Sequence, residues 1–347
     1  MNNGQLKRFA VTLISTLLYS QTASAHVKWF VDVDISESPT NFFDIMQTPA
    51  FAFLLSLSLV VLFAGNLIDG WWWKRYGRIN LLHKVYQDQK DPALTIVRMT
   101  VGVVFFALWL MGDVLLAPDL PSNADFVSTL LFIIAVSVLT EYTIAASAIG
   151  IFMLFGYAVY TYGIFHMIDY LTMPGLAAFL LISWFKSESA MRYRLPLLYL
   201  LTGFSFIWSA VEKLAYPQWY SIFIDRYSFL TMGLDSHFFI MATAFIELSL
   251  FFMIISGKNA AIIAALIANI VINAGNIYFG KLDTLGHLPV VFVLALIAIS
   301  GGEQTFLSPQ KRINNLFVYS ITQVGVFTAV MATSIAAYYG LHATLYS

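Results

Sequence analysis

Residues 105–118, FFALWLMGDVLLAP, and residues 204–217, FSFIWSAVEKLAYP, carry one pattern ninety-nine positions apart. Phe105, Trp109, Asp113, Leu115 and Pro118 align without a gap on Phe204, Trp208, Glu212, Leu214 and Pro217. Five matches in a fixed frame, with an acid at the same place in an apolar run, mark an internal duplication. On a helix, positions i, i+4 and i+8 share a face, so each copy is expected to project two aromatics and a carboxylate the same way. Phe and Trp at that spacing are ordinary packing residues. A carboxylate inside a membrane segment is costly and faces a partner or a wet cavity. Asp113 and Glu212 are therefore the first functional candidates, with Trp109 and Trp208 beside them.

Composition sets the class. Of 347 residues, 59% are hydrophobic and 11% charged, which describes a polytopic membrane protein. The net charge of −1 gives no basic surface for nucleic acid. With no cysteine, the chain by itself holds no iron–sulfur cluster and performs no thiol–disulfide chemistry.

The first 25 residues read as a secretory signal: Lys7 and Arg8, the apolar run from Phe9 to Tyr19, then Ala23-Ser24-Ala25. Cleavage there leaves His26 first. Residues 26–49 are polar and aromatic and are expected in the periplasm. Residues 50–97 comprise a first span and a loop rich in Lys and Arg, after the aromatic belt Trp71 to Trp73. Residues 98–186 and 187–302 hold four spans each, and 303–347 a last span and tail. The expectation is an all-α protein of about ten transmembrane helices, two parallel four-helix repeats with one flanking helix at each end. Twelve of the eighteen Lys and Arg then fall on the cytoplasmic side, four outside and two in the signal, as the positive-inside rule requires. Both mature termini would be periplasmic, in a bacterial inner membrane.

Each repeat has a glycine-bearing first helix with an acid near its outer end (Gly102 to Asp113, Gly203 to Glu212). Each has a glutamate assigned to its second helix (Glu141, Glu247) and a last helix introduced by Asp and Pro (Asp169 with Pro174, Asp283 with Pro289). On these features the chain resembles the DoxX-like membrane family, as two units in tandem over residues 98–300. The resemblance implies a membrane partner of redox systems, sometimes a subunit of a quinone-linked oxidoreductase. The cysteines of the family's thiol-redox members are missing here.

An N-terminal His26 would chelate a metal through its amine and imidazole, an all-nitrogen set suited to copper(II). His166, His237, His287 and His342 are all expected at the outer side, Asp169 three residues after His166 and Asp283 four before His287. Met46, Met167, Met173, Met232 and Met241 offer soft ligands for copper(I). No two histidines have close metal-ligand spacing. His237 and His342 read as interfacial or tail residues, and Arg98 and Arg194 as snorkelling anchors. Glu247 is expected near mid-membrane, paired with a polar group or held protonated. Asn269, Asn273 and Asn276 form a stripe that either hydrogen-bonds between helices or lines a cavity. The aromatic stretch from Tyr216 to Phe238 reads as an interfacial helix that lids a cavity at Glu212.

Copper handling through His26 is the first expectation, with His166, His287, Asp169 and Asp283 completing the metal site and a periplasmic metal carrier or redox protein as partner. The second is a quinone-linked oxidoreductase subunit, with Trp109, Trp208 and Asn273 against the cofactor and Asp113, Glu212, Glu141 and Glu247 exchanging protons. The third is a small-solute transporter or assembly factor. No phosphate-binding glycine loop, GxSxG or HExxH is present.

Overall fold

The computed structural model describes residues 34, 36–79, 91–301 and 315–346. The signal, His26, the part of the basic loop with Lys84 and Lys90, and Lys311 with Arg312 lie outside the described residues. Apart from one isolated bridge between Val114 and Pro121, the described chain is helical.

The long helices are α1 (Pro49–Tyr76), α2 (Pro92–Met111), α3 (Asp125–Ser137), α4 (Ile144–Tyr162), α5 (Thr172–Phe185) and α6 (Arg194–Ala215). The chain goes on through the shorter α7 (Pro217–Arg226) to α8 (Ser236–Ser256), α9 (Asn259–Phe279), α10 (Lys281–Ser300) and α11 (Leu316–Tyr346). Local chemistry sets the starts. Thr48 caps α1 ahead of Pro49, Asp91 caps α2 ahead of Pro92, and Asp235 accepts from the Phe238 amide at 2.9 Å.

Among the described residues, seven helices are long and apolar enough to cross a membrane. An eighth arises if Ile164–Tyr170 and α5, bent 63° apart, form one broken span. α3 has 13 residues, so it is about 20 Å long against a hydrocarbon core of about 30 Å. Large apolar side chains such as Phe53, Val60, Leu110, Phe152 and Ile270 face outward, as expected when lipid is the solvent.

Packing follows chain order. α2 packs on α3, α3 on α4, α4 on α5, and α5 back on α2. The second group repeats this with α6, α8, α9 and α10. The groups meet chiefly at α5 on α6 and α2 on α10, with a lighter contact of α5 on α10. α1 and α11 pack on each other and against α6 and α8. Close approach of α6 and α8 needs Gly203: a Cβ there would lie 2.3 Å from the Ile255 side chain.

Polar side chains tie the basic end together. Buried Asp69 of α1 accepts from the backbone N–H groups of Lys258 and Ala260 at 3.0 and 3.1 Å, capping α9 across the interface. Arg194 grips Asp91 with two nitrogens at 2.5 and 2.9 Å, joining the starts of the two groups. Arg98 donates to the carbonyls of Val138 and Leu139 and closes the end of α3. Both arginines thus do more than anchor the helices at the interface.

Candidate functional site

The first candidate pair is not equivalent in three dimensions. α6 continues through Glu212, which is 1% exposed. α2 stops at Met111, Gly112 turns with φ 72°, and Asp113 sits in a left-handed turn at φ 53°. Ninety-nine positions on, Val211 stands in place of this glycine and the helix continues. Asp113 is therefore off the face that carries Phe105 and Trp109, which corrects the expected stripe. Trp109 packs on Phe106 and Phe132, with ring centres 5.4 and 5.0 Å away. Trp208 is buried against Phe165 and Tyr338 at 5.5 and 4.7 Å.

The glutamates separate too. Glu141 is not in a helix: Thr140 and Thr143 hydrogen-bond in the turn after α3, and Glu141 lies exposed there, 3.6 Å from Lys186. Glu247 lies midway along α8 and pairs with Lys213 of α6 at 2.8 Å. Lys213 also reaches Ser209 at 3.3 Å and stands 5.0 Å over the Tyr220 ring. The Tyr220 hydroxyl donates to Glu212 at 3.3 Å, so α7 does cover Glu212. Burial, then the Glu212 charge, pushes the Tyr220 hydroxyl well above the usual tyrosine range.

Asn269 donates to the Val291 carbonyl at 2.9 Å, an interhelical bond. Asn273 is exposed and donates to Asn269. Asn269 thus bonds between helices while Asn273 faces outward; the side chain of Asn276 lies outside the described residues.

The histidines divide likewise. His166 is wedged between the rings of Tyr162 and Tyr170 at 6.0 and 5.6 Å. His342 is buried, not a tail residue, among Phe165, Tyr216 and Tyr346. His287 pairs through Nδ1 with Asp283 at 2.8 Å, one helical turn away, and that carboxylate is 2% exposed. The two atoms form a close charge pair when the imidazole is protonated, but they are not aligned as a hydrogen bond.

His287 lines a cavity of about 70 Å³ where α5, α6 and α10 meet. Asp169, Thr172 and Met173 enter it from the bent segment, Ser205 and Ser209 from α6. The Asp169 carbonyl accepts from Ser205, and Tyr170 donates to Asp119, which fixes the bend. Asp169 and His287 are thus brought to one space, as are Met173 and the two serines. Among the described residues, no three His, Asp or Glu side chains form a metal-binding group, so His166, Asp169, Asp283 and His287 do not make one together.

Lys213, Tyr220, Ser205 and Ser209 escaped the sequence reading. The signal was there: Ser205, Ser209 and Lys213 recur every four residues on an otherwise apolar helix, with Glu212 beside Lys213.

This is an all-helical protein with membrane-spanning helices whose polar side chains converge between two helix groups. Comparison with family models, characterised proteins and solved structures finds no match.

Proposed function

We propose that this is a bacterial inner-membrane protein of two duplicated DoxX-like units, ten spans in all, whose outward-facing cavity exchanges protons with the headgroup of a membrane quinone. The observation that carries the reading is the Asp283–His287 dyad on a polar cavity at the junction of the two helix groups. A buried carboxylate 2.8 Å from an imidazole places two proton-exchanging groups side by side, as general acid–base chemistry needs. Reducing a quinone consumes two electrons and two protons. A redox partner protein supplies the electrons, and His287 and Asp169 handle the protons. Ser205, Ser209 and Thr172 offer hydroxyls to the quinone oxygens.

The test is binding of a short-chain ubiquinone analogue to purified protein in detergent. His287→Gln and Asp283→Asn should weaken binding about tenfold or more, the scale of one charge-assisted hydrogen bond. An analogue affinity that is unaffected in both variants sinks the reading outright.

One observation favours copper as a second reading. Met173 and His287 line the same cavity, and a carboxylate on the far ring nitrogen is what metal-bound histidines have. Copper bound at about one per chain, lost in His287→Gln and Met173→Leu and on extending the N-terminus before His26, would support it over the quinone.

A further inference from the structure

The two main contacts between the helix groups match under the sequence correspondence: α2 and α6 are offset by ninety-nine residues, while Asp169 and Pro174 correspond to Asp283 and Pro289 at 114 and 115. Ser205, Phe206 and Ser209 line the polar cavity; the residues ninety-nine positions earlier, Phe106, Ala107 and Leu110, line a second space. The last segment of the first group supplies Asp169 and Met173 to one. The last helix of the second group supplies Lys281, Leu282 and Leu285 to the other. One junction has kept hydroxyls around a cavity of about 70 Å³, and the other has become an apolar groove of about 790 Å³.

The groove follows α2 from Thr95 to Met111, sixteen residue steps or roughly 24 Å. It therefore runs through most of a hydrocarbon layer about 30 Å thick. Its two charged lining residues stand at opposite ends. Arg98 is engaged by the carbonyls of Val138 and Leu139. Lys281 opens α10 at the other mouth, and among the described residues no carboxylate pairs with it. Leu110 and Phe106 below it are 53% and 39% exposed.

We propose that this groove holds one anionic phospholipid, its phosphate on Lys281 and an acyl chain along Leu110, Ala107, Phe106 and Val103. An extended apolar channel that ends on a cation at headgroup depth matches a charged head and a flexible tail. The assignment does not depend on what the polar cavity binds.

The experiment is native mass spectrometry of delipidated full-length protein titrated with phosphatidylglycerol or phosphatidylcholine. The wild type should retain one phosphatidylglycerol with about a fivefold preference over phosphatidylcholine, the effect of a single lysine near a phosphate. Lys281→Gln should erase the preference, whereas Lys186→Gln, a change at the basic end, should leave it. Ala107→Trp should remove bound lipid of both kinds, with Ala107→Leu as the milder variant if the melting temperature falls. Equal retention of the two lipids by wild type, or a preference that survives Lys281→Gln, overturns the proposal. So does a dimer that Ala107→Trp dissociates, which would give the groove to a second copy.

Discussion

Replacing Glu247 by Gln leaves the Lys213 ammonium, 12% exposed, facing a neutral amide inside the helix bundle. Removing one partner of a buried ion pair costs about 3–5 kcal/mol. Lys213 keeps Ser209 and the Tyr220 ring, which offset part of that. The expected loss is about 2–3 kcal/mol. Lys213→Met should cost less, about 1–2 kcal/mol, because a carboxylate left alone can take up a proton. The assay is reversible unfolding in mixed detergent micelles, followed by tryptophan fluorescence, with both single variants and the double. If the pair works as the geometry indicates, the double variant recovers about 2 kcal/mol relative to the sum of the singles. A coupling below about 0.5 kcal/mol would refute the reasoning, since independent sites add to within that margin.

The same assay reads three further expectations. Asp69→Ala orphans two buried backbone N–H groups at the start of α9 and should cost about 2–4 kcal/mol; a loss under about 1 kcal/mol would mean that water replaces the carboxylate. Gly203→Val should cost at least about 1–3 kcal/mol by forcing α6 from α8, while Gly325→Ala, with nothing within 4 Å, should be nearly silent. Asp113→Gly should be tolerated and Asp113→Val destabilising by about 1–2 kcal/mol, because the left-handed turn and not the charge sets the requirement. Tyr220 gives a pH test. Its folded hydroxyl is held above the ordinary range, so its contribution to stability is complete below pH about 10, where the unfolded chain also keeps the proton, and falls as pH rises further. Tyr220→Phe should flatten that alkaline decline, and an unchanged slope would show that the hydroxyl titrates freely.

The membrane class and the helical architecture were legible from the chain, because each follows from local chemistry. A long apolar run must satisfy its own backbone, and Thr48, Asp91 and Asp235 cap helices through bonds three residues long or less. The matched spacing of Asp113 and Glu212 was equally visible, yet equal spacing did not mean equal roles. A single glycine, Gly112, ends α2 just before Asp113, and turn hydroxyls hold Glu141 outside a helix while Glu247 stays within one.

What only the tertiary structure decided is which side chains meet. Lys213 and Glu247 are 34 residues apart, Asp69 and Ala260 are 191, and Asp169 and His287 share a cavity without touching in sequence. Periodicity names the face on which a residue sits but not the helix opposite it. That choice is made by summed packing over all the helices, where a close approach such as Gly203 against Ile255 selects one neighbour and leaves a polar space between others.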